Sequence, residues 1–308
     1  MQFPAETNLQ GAFVRQAYTI RDRITADGSS GFRAEPGRYH LYVSLACPWA
    51  HRAIIVRRLL GLEPVISMSV VDPIRDERGW AFREGPDHGR DPICGFQFLS
   101  EAYLRTDPTF TGRYTVPCIW DRVTSRLVTN NYPDITIDFE TQFTAYHRPD
   151  APDLYPQALR ATIDEINAVV YEDVNNGVYK AGFAASQPAY EAAVVPLFRR
   201  LDWLDERLAG QRYLAGDQVT EADIRLFTTL VRFDAVYFGH FKCNLRRIVD
   251  YQNLWGYARD LFQRPGFGET VNFDHIKRHY YMTHEQLNPT RIVPMGPIVD
   301  WHAPHGRS

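Results

Sequence analysis

Tyr39-His40-Leu41-Tyr42-Val43-Ser44-Leu45-Ala46-Cys47-Pro48-Trp49-Ala50-His51-Arg52-Ala53-Ile54-Ile55-Val56 is the stretch that decides how this chain reads. Its first seven residues are mostly apolar and β-prone, which predicts a strand. Ala53–Leu60 is amphipathic and predicts a helix. Between them, Cys47-Pro48 places a thiol at a helix N-terminus. Proline suits the first helical turn, where its missing N–H removes no bond. The unpaired N–H groups and the positive end of the helix dipole favour a thiolate, the nucleophilic form of cysteine. The other role open to such a residue is that of a small buried hydrophobe at a strand end.

Working outward, Val65–Val71 predicts a second strand, so that strand, helix and strand make a βαβ unit with a parallel pair. A polar excursion follows over 72–112, a length that is usually functional or carries short helices of its own. Tyr114–Asp121 predicts a further strand. Pro117 inside it demands an edge, a bulge or a cis bond. Arg126–Asn130 pairs with that strand through a turn as a hairpin, and 135–143 predicts a helix. The order β-α-β, excursion, β-β-α is that of a thioredoxin-like α/β domain, in which Val116-Pro117 falls where that fold keeps its cis-proline. The domain is placed at 39–145, behind an irregular arm at 1–38.

A polar, proline-containing linker covers 146–153. Beyond it the patterning is helical, and 155–290 predicts an all-α domain. Helices are expected over 158–174, 187–208, 254–262 and 273–283. One more opens at Thr220-Glu221-Ala222-Asp223, a capping-box variant with Val219 placed as a hydrophobic staple. The tail, 291–308, carries three prolines and predicts an extended segment.

The 308 residues suit two domains. A formal charge of −3 argues against nucleic acid or an acidic membrane surface as partner. No apolar run is long enough to span a bilayer. Met1–Thr7 lacks the basic start and apolar core of a secretory signal, so a cytoplasmic location is expected. The four cysteines, at 47, 94, 118 and 243, form no Cys-x-x-Cys pair and suit a reducing compartment. His275 and His279 have helical spacing, with His284 beyond. Cysteine and carboxylate partners at ligand spacing are missing, so no metal is expected.

Several ordered motifs resemble the glutathione transferase superfamily, and within it the xi class, the glutathionyl-hydroquinone reductases. They are Cys47-Pro48-Trp49-Ala50-His51-Arg52, Gly79-Trp80-x-Phe82, Thr115-Val116-Pro117, Asn175–Ala184, Val219–Asp223, Arg225–Asp234, Tyr237, Gly239–Asn244, His275–Tyr281 and Asn288-Pro289-Thr290. The resemblance implies that Cys47 attacks the sulfur of a glutathionyl-hydroquinone and is left as a mixed disulfide, which a second small thiol resolves. A lone cysteine needs such an external thiol to turn over. The resemblance also implies that Trp80 lines the thiol site. Val116, before Pro117, offers its backbone to the cysteinyl part of the thiol like an added strand. Tyr179, Tyr237 and Tyr280 face the aromatic substrate, where a phenolic O–H can meet a hydroquinone oxygen. Tyr281, beside Tyr280, competes for the third place. A homodimer is implied too. Cys118 is expected to turn away from Val116 and to serve packing.

One stretch departs from the family. Where an acid and a Ser are expected to hold the γ-glutamyl group, this chain has Asn131 and Tyr132. An amide cannot replace a carboxylate's charge against an ammonium, and Tyr would fill part of the pocket. Two expectations follow. Either the physiological thiol lacks a γ-glutamyl group, as the sugar-based thiol mycothiol does, or glutathione still binds weakly through Val116, Trp80 and Asp134. A conjugating transferase and a non-catalytic binding protein stand as alternative functions on the same architecture.

Overall fold

A computed structural model describes residues 6–307. Residues 1–5 and 308, at the extremities of the expected arm and tail, lie outside them. The described chain forms two compact units. Residues 16–153 make the first, and 6–15 together with 154–307 make the second. The arm is therefore divided between the units, and the tail is folded into the second.

In the first unit, strand β1 (Tyr39–Val43) leads through Cys47 into helix α1 (Pro48–Leu59) and strand β2 (Ser67–Val70). Helix α2 (Leu99–Thr106), strands β3 (Cys118–Asp121) and β4 (Arg126–Thr129), and helix α3 (Tyr132–Gln142) complete it. The sheet order is β2-β1-β3-β4. β1 runs parallel to β2 and antiparallel to β3, which is antiparallel to β4. This is the thioredoxin-like arrangement. Every residue of β1 is buried, as a strand covered on both faces requires.

Two boundaries differ from expectation. β3 begins only at Cys118, because Pro117 has no N–H to give to a ladder. α3 begins at Tyr132, since Pro133 in its first turn starts a helix without cost. The excursion holds α2, whose Glu101 carboxylate accepts from the backbone N–H groups of Gln97 and Phe98, both at 2.9 Å. Residues 20–22 run beside β4, with Asn130 N donating to Ile20 O at 3.0 Å and Asp22 N to Val128 O at 3.1 Å. That covers an otherwise open sheet edge.

The second unit is helical among its described residues. It contains α4 (Arg160–Val170), α5 (Gly177–Gly182), α6 (Gln187–Gly210), α7 (Glu221–Arg232), α8 (Gln252–Gln263) and α9 (Phe273–Thr283). The expected helix over 158–174 is shorter: α4 passes into a π-helical turn at Tyr171–Asn175. There the Asn175 side chain donates to Arg225 O at 3.0 Å and Thr229 Oγ1 at 2.7 Å, tying the wide turn to α7. A second π turn, Phe233–Tyr237, extends α7. Every α7 residue except Arg225 is buried. Along α6, Val194, Leu197, Phe198, Leu201 and Leu204 form the buried stripe that the sequence periodicity predicts. The tail is extended, and Arg307 donates to the carbonyls of Leu208, Gln211 and Arg212 at the end of α6. No helix among the described residues is long and apolar enough to cross a membrane.

Asp223 anchors the start of α7. Its carboxylate, fully buried, accepts from Thr220 N (2.8 Å), Thr220 Oγ1 (3.0 Å), Leu214 N (2.9 Å) and Tyr257 Oη (2.8 Å). Removing it strands several buried donors at once. Asp223→Ala is expected to cost roughly 3 kcal/mol or more, read as a lower urea midpoint at unchanged slope.

Candidate active site

Cys47 is the N-cap of α1, with Pro48 in the first helical position. His51 N donates to Cys47 O at 3.0 Å, so the helical ladder starts at the cysteine's own carbonyl. The Cys47 thiol donates to Val116 O at 3.4 Å. The Val116-Pro117 bond is cis, as expected from the sequence. The two surroundings of the sulfur pull in opposite senses. The carbonyl holds the S–H form, while the head of a 12-residue helix favours the thiolate.

Cys47 packs against a buried cluster that contains Trp80, Val116 and Cys118. A turn at Asp76–Gly79 delivers Trp80, and Gly79, at φ 98°, takes the left-handed conformation that an L side chain resists. Leu99 N donates to Trp80 O at 2.9 Å, and the Arg75 guanidinium lies 5.3 Å from its indole centroid. Cys118 belongs to the same buried cluster as Val116, in the packing role expected of it. Cys118 is fully buried, and burial pushes its thiol well up.

Asn131 and Tyr132 are both committed within the protein. Asn131 Nδ2 donates to Asp134 Oδ2 at 2.5 Å, and Asp134 stands 3.5 Å from Arg23. The Tyr132 ring stacks on Trp49 with centroids 4.6 Å apart, and Tyr18 meets its edge at 5.3 Å. The Arg52 guanidinium covers this pair, 4.6 Å from Trp49 and 5.3 Å from Tyr132. At 3% exposure Tyr132 is part of a packed aromatic wall.

The second unit gathers the three tyrosines. Tyr280 Oη, on α9, hydrogen-bonds to Tyr179 Oη, on α5, and to Tyr237 Oη at 3.0 Å, at the end of the π turn. Tyr281 instead donates to Ala235 O at 3.4 Å, so Tyr280 is the one whose hydroxyl joins those of Tyr179 and Tyr237. Tyr237 and Tyr280 are buried and Tyr179 half-buried. Burial drives the hydroxyls of Tyr237 and Tyr280 well above the usual tyrosine range. Phe241 packs its ring on all three, and a Cβ at Gly182 would meet that ring at 2.2 Å. His284, from the expected histidine group, pairs with His240 at 3.2 Å and stacks on it. Among the described residues no three His, Cys, Asp or Glu side chains converge as metal ligands would.

Sequence reasoning missed the parts of two participants, Arg52 and Arg15. Arg52 lies one turn from Trp49, and that i,i+3 spacing was a usable signal. Asp134, weighed as a ligand acid, accepts from Asn131. Arg15 lies in an arm without periodicity, and nothing local marks it, although its guanidinium stands 4.8 Å from the Tyr179 ring centroid.

Residues 187–260 match the glutathione S-transferase C-terminal domain family. The chain is 52% identical over 304 residues to the glutathionyl-hydroquinone reductase YqjG of Escherichia coli, covering 96% of this chain and 92% of that protein. The glutathione-bound structure of YqjG superposes with a TM-score of 0.91, covering 94% of this chain and 96% of that one. The glutathionyl-hydroquinone reductase PcpF of Sphingobium chlorophenolicum is 50% identical, over 93% of this chain and 90% of its own length. The xi glutathione transferase of Phanerochaete chrysosporium matches at 51% identity and a TM-score of 0.92, covering 95% of each chain.

The cysteines are expected to separate by reactivity. Cys118 and Cys243 are fully buried and Cys94 is partly so, and burial pushes all three thiols up. Iodoacetamide at neutral pH is expected to give one fast adduct, mapped to Cys47 by peptide mass, with the other three lagging by at least tenfold.

Proposed function

The chain belongs to the xi class of the glutathione transferase superfamily, the glutathionyl-hydroquinone reductases, and on that premise we propose that it reduces thiol-conjugated hydroquinones through Cys47. The observation that carries the reading is Cys47 itself, the N-cap of α1 held at 3.4 Å from the carbonyl ahead of a cis-proline. Cys118, in the cluster that Cys47 packs against, is fully buried and burial pushes its thiol up, so we assign the resolving step to a second small thiol.

The steps balance as follows. The Cys47 thiolate attacks the sulfur of an aryl thioether conjugate. A sulfur–sulfur bond forms and the carbon–sulfur bond breaks. Its electron pair passes to the ring, which takes a proton and leaves as hydroquinone. A second thiolate then attacks the Cys47 mixed disulfide, freeing Cys47 and a small-molecule disulfide. The ring gains two electrons and the two thiols lose them. A proton shift from a ring hydroxyl to the sulfur-bearing carbon first gives the keto tautomer, so the pair from its C–S bond enters the π system and the charge falls on the ring oxygen, where a hydroxyl of the Tyr179, Tyr237 and Tyr280 cluster donates the proton. Val116 and Trp80 hold the thiol part, with the Val116 backbone pairing to its cysteinyl amide.

The thiol we favour has no γ-glutamyl group. Asn131 is bonded to Asp134 and Tyr132 is stacked on Trp49, so neither offers the charge that an ammonium would need. Mycothiol meets that condition. Glutathione is the second reading, favoured by the bound glutathione of YqjG at 52% identity. Four scattered cysteines with no Cys-x-x-Cys pair suit a reducing compartment, and we place the protein in the cytoplasm as a homodimer.

Two experiments test this. Cys47→Ser is expected to lower hydroquinone release by at least a thousandfold, while any thiol-adding activity survives or rises. Release that persists in Cys47→Ser removes the mechanism. Calorimetric titration with each thiol is expected to give mycothiol the tighter binding. A micromolar glutathione complex would return the thiol assignment to glutathione.

A further inference from the structure

Residues 6–15 are distant in sequence from the tyrosines yet fold into the same unit. Gly11 O accepts from Ala185 N at 2.8 Å, and Gln10 O from Ser186 Oγ at 2.8 Å. Gly11 has φ +81°, and a Cβ there would meet Ser186 N and Oγ at 3.0 Å, so the close approach needs glycine. Phe13 packs on Phe183 with centroids 5.7 Å apart. The segment ends at Arg15. Its Nε donates to Asn176 Oδ1 at 2.9 Å, and its guanidinium lies 4.8 Å from the Tyr179 ring centroid. Asn176 is the N-cap of α5, three residues before Tyr179.

We propose that Arg15 is a positioning residue for Tyr179: fixed by Asn176, it sets a permanent positive charge on the face of the phenol that meets the hydroquinone oxygen. This rests on the reading of Tyr179 given above. Giving up a proton enriches a phenol ring in electron density, so a cation on its face stabilises the ionised form more than the neutral one. Tyr179 thereby becomes a stronger donor. Other charged or titratable groups meet the neighbouring rings of the cluster. The charge of buried Arg232 lowers the hydroxyl pKa values of Tyr237 and Tyr280, against the larger effect of burial. The imidazoles of His240, His279 and His284 meet Tyr280. Burial takes His240 down to about 4, so it is neutral at physiological pH. Arg15 therefore acts on the one ring of the three that is half-exposed.

The test compares Arg15→Gln, Arg15→Lys and Tyr179→Phe in the full chain. The probe is the glutathionyl or mycothiolyl conjugate of hydroquinone, whichever the wild-type chain cleaves faster, followed as single-turnover hydroquinone release from neutral to alkaline pH. Tyrosinate formation is followed in parallel, without substrate, by ultraviolet difference absorbance. Arg15→Gln is expected to slow release on the order of tenfold and to move both the alkaline limb and the first tyrosinate step to higher pH. Arg15→Lys, which keeps the charge, is expected to recover most of both. A wild-type rate and titration in Arg15→Gln overturn the assignment. So does an Arg15→Lys variant as impaired as Arg15→Gln, because the loss would then follow shape and not charge. If Tyr179→Phe slows release and Arg15→Gln does not, only the Arg15 assignment falls. If Tyr179→Phe leaves release unchanged, the reading of Tyr179 fails and takes this one with it.

Discussion

The chain has almost no freedom at residue 47, and the proposed chemistry depends on that constraint. β1 is buried along its whole length and is paired on both sides, which fixes where it ends. Pro48 then starts α1, and the N-cap backbone of Cys47 follows from both. The Val116 carbonyl approaches from the segment just ahead of β3, the other neighbour of β1. A sulfur set by two strands and a helix is positioned before any ligand arrives, so no ordering entropy is spent at the moment of binding.

The tyrosine cluster is governed by a different balance. Burial removes the water that would solvate a phenolate, so the hydroxyls satisfy one another. Tyr280 stands between Tyr179 and Tyr237, and each pair shares one proton donor. Two π-helical turns bring this about. One precedes α5, which carries Tyr179, and the other ends at Tyr237 itself. A π turn re-aims the side chains beyond it, and such turns are frequent at functional sites.

Much of this was legible in the sequence, because much of it is local. Strand, Cys-Pro and amphipathic run fix the thiol's address through backbone rules alone. Thr220 and Asp223 announce the start of α7 by capping chemistry, and α9 follows its periodicity from Phe273 to Thr283. The misses share a physical cause. The π turns conserve the apolar spacing of an ordinary helix, so periodicity runs through them unbroken. The helix predicted from 135 starts earlier, at Tyr132, because proline serves first helical positions as well as turns. Tyr132 was read by its size alone, and its burial depends on Trp49 and Arg52, which the sequence does not place against it. Arg15 reaches Tyr179 across more than half the chain, and no window of sequence contains both.

The division of the arm has a consequence for how this molecule could be rearranged. Among the described residues the polypeptide passes from one unit to the other twice, at 15–16 and at 153–154. A cut at the second crossing looks like the natural seam for exchanging modules with a related protein. It would leave Phe13 and Arg15 behind on the wrong fragment, and the helical half would arrive without the strand of chain that covers its tyrosines. Recombination and domain grafting in this architecture therefore have to respect two breakpoints, of which the composition of the chain advertises only one.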